Sequence, residues 1–476
     1  MKYEKVIGLE IHIRIKSQTK MFCSCKNALE LASAPNIHIC PICMGFPGML
    51  PRINKEVVRL WVIAGMMMNC EINTVSRFDR KSYFYPDLPN SFQTTQMYQP
   101  IVWKWYVETY VSGELKKFDI HHMHLENDAW KLTHAGGKTL CDYNRAWSPL
   151  MEIVTEPVFH EVEEVMEFLR ELQKIMRAAG VSDADMEKGQ LRCDVNISLR
   201  PLWDTWLYNR VELKNLNSFS AIGRAIETES RRQEKLLEKW EEVVQETRWW
   251  DDTTGMSTPQ RSKEDAMDYR YFPEPDILPI VLDEEMLESC RAQVVELPIL
   301  KRKKYLEEYK LSQDDARLLT TDYPLALYFE SLTELTWDPK KSCSYITSVL
   351  LALLSESEEI KNISDLRFDI KELARVIELV GADELSSTNA KVVIEQLFHH
   401  GWNTDTIVDE HHLRQKNDFS LLESIVDEVL ASNSTQVEEY RRGKENLFGY
   451  FVGQSMKASK WQWNPKVFTE ILKKKL

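Results

Sequence analysis

The sequence predicts an α+β protein in which a domain built on an antiparallel sheet precedes all-helical domains. Two observations support this. Up to about residue 292, several segments alternate strictly between apolar and polar residues, as strands with one buried face do. From about residue 293 onward, apolar residues recur at helical spacing. We therefore predict three domains, which cover residues 1–292, 293–400 and 401–476.

Three segments predict strands of this sheet. In "KVIGLEIHIRIK", alternate apolar residues face one side, while Glu10 and His12 face the other. The segments "QLRCDVNISLR" and "NRVELKN" show the same alternation, with Asp194 and Lys214 on their polar sides. One polar face per strand favours an antiparallel sheet that is covered on one side only.

Helices are predicted by a period of 3.6 residues. The segment "EVEEVMEFLRELQKIMRAAG" has this period, and Gly180 suits its end. Residues 219–243 predict a second, highly charged helix. Ser312 is a predicted N-cap, with Asp315 in the first turn. The helical pattern that follows is interrupted near residues 355–365, 381–388 and 401–406.

The composition is that of an ordinary globular protein, with 43% hydrophobic and 28% charged residues. No apolar run approaches the roughly 18 residues of a membrane span, so we expect no membrane association. Charges interrupt the N-terminal segment where a signal peptide needs its apolar core. Nine cysteines, unevenly placed, favour a reducing compartment over a disulfide scaffold, and we expect a cytoplasmic protein.

The charge is unevenly distributed along the chain. The net charge of −14 argues against general binding to nucleic acid, but residues 441–476 hold nine Lys or Arg against two acids. This end is either a solvated basic tail or an RNA-contacting surface on an acidic body. The candidate RNA contacts are Arg441, Arg442, Lys444, Lys457 and Lys460.

The most specific local motif is a cysteine pattern. A C-x-C pair and a C-x-x-C pair are separated by 14 residues, and together they comprise Cys23, Cys25, Cys40 and Cys43. Two close thiolate pairs suit a tetrahedral Zn²⁺, and four protein ligands leave no position for a catalytic water, so this zinc would be structural. The alternative is two unrelated buried pairs.

Acidic and histidine side chains recur on the predicted polar faces. They are Glu10, His12, His122, His124, Glu126, Asp128, Glu152 and Asp194. A single acid on a sheet is usually just solvated. Several converging acids repel each other, and their oxygen atoms are the ligands that Mg²⁺ prefers. Mg²⁺ suggests a nucleotide phosphate, for which nearby basic residues are Arg80, Lys81, Arg192 and Lys214. The chain has no Walker A, G-x-G-x-x-G or G-x-S-x-G motif, which argues against a nucleophile-based hydrolase.

Several long motifs resemble one family. They are "GLEIHIRIK", "FDRKSYFYPDLP", "HLENDAWK", "YNRAWSPLMEIVTEP", "LRCDVNIS", "RVELKNLNSF", "QETRWWDD" and "DYRYFPEPD". In this order they are similar to the B subunit of the bacterial and organellar aspartyl/glutamyl-tRNA amidotransferases. The resemblance implies an N-terminal cradle domain related to the glutamine synthetase catalytic fold, followed by helical domains that hold tRNA.

The same resemblance implies an ATP- and Mg²⁺-dependent ligase that forms carbon–nitrogen bonds with glutamine as amide donor. In that family the B subunit phosphorylates the side-chain carboxylate of Glu on tRNA(Gln) or Asp on tRNA(Asn). Ammonia released from glutamine by an amidase-type A subunit then displaces the phosphate. A small C subunit completes the heterotrimer.

The resemblance also assigns residues. It implies that Glu10, His12, Glu126 and Glu152 form the catalytic, metal-binding set, with Asp194 close to the nucleotide. Phosphate contacts are assigned to Arg80, Lys81, Arg192 and Lys214. Two alternatives are a catalytically idle tRNA-binding or assembly subunit and a stand-alone ligase for a small molecule. The acidic set argues against the first alternative, and the basic tail against the second.

Tryptophan stands at several positions where the family has glycine or where small residues are favoured. These positions are Trp130, Trp147, Trp203, Trp206, Trp249, Trp461 and Trp463. The chain has 14 Trp and only 16 Gly, whereas about 33 Gly would be usual at this length. Either the substitutions are real, or UGA codons that the source organism reads as Gly were translated as Trp. The codons in the gene distinguish the two hypotheses, and the composition favours the second.

Overall fold

The computed structural model describes residues 3–27, 33–86, 88–103, 105–129, 131–262, 269–414, 419–459 and 465–476. The chain divides into two compact units, Met1–Lys301 and Arg302–Leu476. The first unit mixes strands and helices around a large sheet, and the described residues of the second form helices and loops. The predicted α+β class is confirmed. The domain boundaries at 292 and 400 and the likeness to glutamine synthetase stay predictions.

Among the residues that the structure describes, strands occur in the first unit and not in the second. In chain order they are β1 (Tyr3–Arg14), β2 (Glu71–Ile72), β3 (Val75–Ser76), β4 (Asp79–Ser82), β5 (Phe92–Thr95), β6 (Val102–Trp103), β7 (Trp105–Val111), β8 (Glu114–Asn127), β9 (Lys131–Ala135), β10 (Lys138–Asp142), β11 (Pro149–Thr155), β12 (Leu191–Pro201), β13 (Val211–Lys214), β14 (Glu246–Asp251), β15 (Met256–Ser262), β16 (Phe272–Pro273) and β17 (Ile280–Val281).

The α-helices in chain order are α1 (Lys55–Met67), α2 (Val162–Ala178), α3 (Phe219–Glu238), α4 (Glu284–Arg291), α5 (Pro298–Glu307), α6 (Gln313–Leu319), α7 (Tyr323–Thr336), α8 (Pro339–Tyr345), α9 (Leu351–Glu356), α10 (Ile370–Gly381), α11 (Ser387–His400), α12 (Thr404–Glu410), α13 (Phe419–Ser432), α14 (Ser434–Arg441), α15 (Leu447–Ala458) and α16 (Pro465–Lys475). Ser312 caps α6 as predicted, because its hydroxyl accepts a hydrogen bond from the Asp315 amide. Among the described helices, none is long and apolar enough to cross a membrane.

One eight-stranded sheet organises the first unit, in the order β15-β14-β13-β12-β1-β11-β8-β7. Neighbouring strands are antiparallel except β13 and β14, which run parallel. The predicted alternation in β1 is confirmed: Leu9 and Ile11 are buried, whereas Glu10 and His12 are half-buried. Helices α2 and α3 cover the apolar face, with Phe168 and Ile222 in the same core cluster as the strands. The polar face is therefore left to carry a site.

A β-bulge in β8 changes which residues face the core. Ile120 and His122 pair with consecutive residues of β11, so His121 is the extra residue. Before the bulge, even-numbered residues such as Ile120 are buried in the core; after it, odd-numbered residues such as Leu125 are. Bulges often redirect side chains next to functional sites. Here the bulge turns the even-numbered residues from His122 onward to the polar face.

The second unit contains two separate hydrophobic clusters. One gathers buried residues between positions 305 and 408, and the other gathers buried residues between 422 and 472. The basic segment from 441 onward therefore contributes core residues such as Phe451 and Phe468, both fully buried. It is a folded part of the unit.

Three tryptophans adopt a backbone conformation that favours glycine. Trp147, Trp240 and Trp337 have φ of 61°, 63° and 53°, a left-handed region that residues with a Cβ rarely adopt. The sequence had singled out Trp147 alone of these. Trp240 also explains why the helix predicted over 219–243 ends at Glu238 instead, since a left-handed residue after the helix terminates it.

Exposure distinguishes the three positions. Trp147 is buried, but Trp240 is 86% exposed and Trp337, which ends α7, is 90% exposed. Little packing can offset the backbone cost at the two exposed sites. Trp203 and Trp206 are also exposed, in the turn after β12. Trp130, Trp461 and Trp463 lie outside the described residues.

We predict that Trp337→Gly stabilises the protein by about 1 kcal/mol, because the left-handed conformation costs a residue with a Cβ roughly 1–2 kcal/mol. Chemical denaturation of the full-length chain measures this change. Trp402→Gly is the matched control, because Trp402 is not among the residues with positive φ and its ring stacks on His400 at 4.5 Å. The control should not stabilise. A Trp337→Gly protein no more stable than the original would contradict the prediction.

Candidate active site and metal centres

A cavity of about 450 Å³ lies over the polar face of the sheet. Eight of the nine predicted catalytic and phosphate-contacting residues line it, namely Glu10, His12, Lys81, Glu126, Glu152, Arg192, Asp194 and Lys214. They come from β1, β4, β8, β11, β12 and β13. Residues distant in sequence thus converge because the strands that carry them are neighbours or adjoin the sheet.

His12 lies at the centre of the acidic cluster. Its Nε2 atom is 3.5 Å from carboxylate oxygens of both Glu126 and Glu152, and 4.0 Å from Glu10. The register explains this geometry, because His12 of β1 lies directly opposite Glu152 of β11. Glu126 reaches the cluster from β8, which pairs with the other edge of β11.

The carboxylates repel one another. Burial and the charge of Glu152 raise the pKa values of Glu10 and Glu126. Burial lowers the pKa of His12, but its hydrogen bond to Glu152 and the surrounding carboxylates raise it to about 9. An imidazolium is therefore the cation that this cluster holds by itself. A divalent ion would replace that proton and leave His12 as a neutral ligand, so the donor set fits a metal.

Basic residues surround the acidic cluster, each with a carboxylate partner. The Lys214 ammonium lies 2.6 Å from Asp194 and 3.1 Å from Glu212. Arg192 donates to Asp128 at 2.9 Å. Asp194 lies opposite Glu10 in the sheet, so these contacts hold cationic groups along one edge of the cavity.

Lys81 also lines this cavity. Burial lowers its pKa, but the charges of Glu126 and Glu152 outweigh that effect and raise it. The ammonium therefore stays charged beside the acidic cluster. Its Nζ atom also lies 5.0 Å from the centre of the Tyr269 ring.

The structure does not bring Arg80 to this cavity. Its guanidinium donates to Glu274 at 2.7 and 2.8 Å and to Asp276 at 2.8 Å, and it stacks on Phe92. These contacts hold Arg80 in the wall of a second cavity of about 340 Å³, which Trp147 also lines. The adjacent Lys81 is the residue of this pair that reaches the acidic cluster.

Some lining residues had no sequence prediction. Gln93, Asn215, Asn217 and Trp249 also line the acidic cavity, although Trp249 had been singled out for another reason. Asn215 follows β13 with φ of 68°, and its side chain donates to the Trp250 carbonyl. Asn tolerates the left-handed conformation better than most residues. An Asn directly after a predicted strand could therefore have indicated a turn at this position. The Trp249 indole stands where glycine would leave open space.

The four predicted cysteines come together after β1. Their sulfur atoms all lie within 4.8 Å of one another, and the Cys40 and Cys43 sulfurs are 3.9 Å apart. Zn–S bonds of about 2.3 Å in a tetrahedron place sulfurs about 3.8 Å apart, so the donors fit zinc. The two pairs are thus one cluster, and the alternative of unrelated pairs is wrong.

The surroundings favour a thiolate at Cys43, whereas the hydrogen bond to Cys43 and burial raise the pKa of Cys23. A hydrogen bond from Cys23 and the Lys20 ammonium together outweigh the effect of burial and lower the pKa of Cys43 to about 5. Lys20 is fully buried, with its Nζ 3.7 Å from the Cys43 sulfur and 2.7 Å from the His38 carbonyl. A buried cation beside the thiolates offsets part of the negative charge that four of them bring to Zn²⁺.

The candidate RNA contacts are on the surface of the second unit. Arg441, Arg442, Lys444 and Lys457 are exposed at the end of α14, in the loop after it and on α15. Arg442 and Lys444 form ion pairs with Glu438 and Glu439. Lys460 lies outside the described residues.

Comparisons with known proteins agree along the whole chain. A family model described as the GatB/GatE catalytic domain matches residues 5–288, and one described as the GatB domain matches residues 327–476. The B subunit of the aspartyl/glutamyl-tRNA(Asn/Gln) amidotransferase of Persephonella marina is 42% identical, with 100% of both chains covered. Its counterpart of the same name in Caldicellulosiruptor bescii is 43% identical, covering 100% of this chain and 99% of its own. The chain therefore belongs to the family of B subunits of the tRNA-dependent aspartyl/glutamyl amidotransferases.

Proposed function

We propose that this chain activates the side-chain carboxylate of Glu-tRNA(Gln), Asp-tRNA(Asn) or both by ATP-dependent phosphorylation. Ammonia then converts the activated group to an amide, forming Gln-tRNA(Gln) or Asn-tRNA(Asn). The observation that supports this most directly is the cavity in which Glu10, His12, Glu126 and Glu152 converge beside cationic side chains.

In this proposal the four converging side chains hold Mg²⁺. The ion would supply positive charge to the nucleotide phosphates and to the transferring phosphoryl group, which is the main requirement of such a transfer. Glu126 is nearly fully buried and Glu152 largely so, which fixes both carboxylates in place. His12 would serve as a neutral ligand, without the proton that it holds in the absence of the ion.

Cationic side chains complete the site. Lys81, Arg192 and Lys214 line the cavity and would contact phosphate oxygens. Arg192 and Lys214 are already paired with carboxylates, so they are oriented before a nucleotide arrives, and Lys81 lies in the field of Glu126 and Glu152. Asp194 positions Lys214 through their 2.6 Å contact. Arg80 is left out of this set because it lines a different cavity.

The reaction proceeds in two transfers. An oxygen of the aminoacyl side-chain carboxylate attacks the γ-phosphorus of ATP, and the bond to the ADP oxygen breaks. Ammonia then attacks the acyl carbon, a C–N bond forms, the C–O bond to phosphate breaks and the nitrogen loses a proton. The chain lacks a nucleophile motif for glutamine hydrolysis, which supports a separate amidase-type A subunit as the source of ammonia. A small C subunit is the further proposed partner.

We predict that Glu152→Gln lowers tRNA-dependent ADP formation at least about 100-fold, because removal of one preorganised electrostatic group, such as an oxyanion-hole donor, costs about 10²–10³ in rate. The assay uses the assembled amidotransferase with ammonium chloride, which bypasses glutamine hydrolysis. Binding of tRNA should survive the substitution.

Glu108→Gln is the matched control, since Glu108 lies on the edge strand β7, outside the cavity lining. Full phosphorylation by Glu152→Gln would contradict the metal-ligand assignment. Absence of ATP turnover in the original protein, with tRNA binding intact, would instead favour the catalytically idle tRNA-binding or assembly subunit.

We predict that replacing Arg441, Arg442, Lys444 and Lys457 together with Ala weakens tRNA binding most at low salt. The slope of log affinity against log salt should become shallower by about 0.7–0.9 for each phosphate that the variant no longer neutralises. Point substitutions are needed because deleting residues 441–476 would remove buried core side chains. Lys361→Ala with Lys391→Ala, both exposed and outside this segment, is the control. An unchanged slope would exclude the basic segment as the tRNA-binding surface.

The four cysteines would hold a structural Zn²⁺ in this proposal. We predict that Cys43→Ser removes one Zn per chain, measured by elemental analysis, and lowers the unfolding temperature, because metal binding contributes to folding free energy. Cys70→Ser is the control, since Cys70 is half-buried outside the cluster. If Cys43→Ser kept its zinc, the cluster would not be the zinc site.

A further inference from the structure

We infer that a second divalent-ion site lies beside the first, built from His122, His124 and Glu152 and suited to a first-row transition ion such as Co²⁺, Zn²⁺ or Fe²⁺. One ligand atom from each of the three residues lies within 4.8 Å of the others. Two imidazoles and one carboxylate form a known arrangement for such ions, with positions left open for other ligands.

The sheet geometry presents these three groups together. His122 and His124 are two residues apart on β8, and their rings stack with centroids 5.4 Å apart and an interplanar angle of 18°. Glu152 lies directly opposite His124 on β11. The bulge at His121 is what turns the two histidines to the polar face, where Glu152 also points.

Two observations at His124 indicate that this group of side chains can bind an ion. The His124 Nε2 atom is 3.3 Å from the Glu152 carboxylate, close to the spacing that neighbouring ligands adopt around an ion with bonds of about 2.1 Å. His124 is only 8% exposed, and its buried Nδ1 atom has no hydrogen-bond partner. Buried polar atoms are rarely left unsatisfied, so the His124 ring has a nitrogen atom that no described group satisfies.

The two sites differ in their ligand atoms and therefore favour different ions. Mg²⁺ prefers oxygen ligands and would bind at the set that includes Glu10 and Glu126, whereas imidazole nitrogen favours transition ions. Glu152 belongs to both sets, so it would bridge the two ions. A second positive charge there would reduce the carboxylate repulsion further. The Nδ1 atoms of His121 and His122 are 2.6 Å apart, and this contact orients the His122 ring.

The test measures Co²⁺ binding to the full-length chain, with zinc in the cysteine cluster and excess Mg²⁺ to saturate the oxygen-rich set. Equilibrium dialysis should show one additional Co²⁺ per chain. Its absorption spectrum should lack the intense bands of thiolate ligation, which excludes exchange into the cysteines. This binding requires no catalytic activity, so its outcome is independent of the proposed phosphorylation.

His122→Ala should weaken this Co²⁺ binding at least about tenfold, since even outer partners of a metal site contribute 10–100-fold. His122 is partly exposed, so the variant should fold, which zinc content and the unfolding midpoint verify. Glu152→Gln should weaken the binding too. His134→Ala, which removes an exposed imidazole in β9, is the control and should bind as the original does. Equal Co²⁺ binding by His122→Ala, or no Co²⁺ bound by the original protein, would overturn the inference.

Discussion

The mutual repulsion of carboxylates on one face of a sheet is the constraint on which the rest of the first unit depends. Glu10, Glu126 and Glu152 come within reach of one imidazole, and burial strengthens their repulsion. Such a cluster persists because the opposite face of the same strands forms a well-packed apolar core. The core holds the strands in register, and the register holds like charges together. Cationic side chains such as Lys81 and the protonated His12 then offset part of this repulsion.

The sheet also explains why charged groups of both signs line the site. Two of the lining cations are held by acids, Lys214 by Asp194 and Glu212, and Arg192 by Asp128. These pairs fix side chains that would otherwise be mobile. The bulge in β8 adds His122 and His124 to the same face, so one strand supplies both oxygen and nitrogen donors. The loop after β1 carries the cysteine cluster, and the Met21 amide of this loop donates to the Trp147 carbonyl.

The tryptophans link backbone conformation to the question of what the gene encodes. Trp240 and Trp337 are exposed in left-handed conformations, where glycine would be favoured and where nothing is gained by an indole. Trp240 and Trp337 are therefore two further candidate glycine positions beside those that the sequence indicated. Their positive φ values identify them without any comparison with the family. At Trp249 the same replacement would enlarge the candidate active site. The glycine hypothesis therefore concerns the shape of the site as well as stability.

The sequence by itself determined the strands that carry the site and the residue types in it, because alternation in β1 and β12 and the spacing of the cysteines are local properties. Only the tertiary structure decided which of these residues meet. It joined Glu152 to His12 through the pairing of β1 with β11, and it separated Arg80 from the neighbouring Lys81. It also showed the bulge that reverses the faces of β8. Register and bulges depend on contacts between distant strands, so no single segment of the sequence contains them.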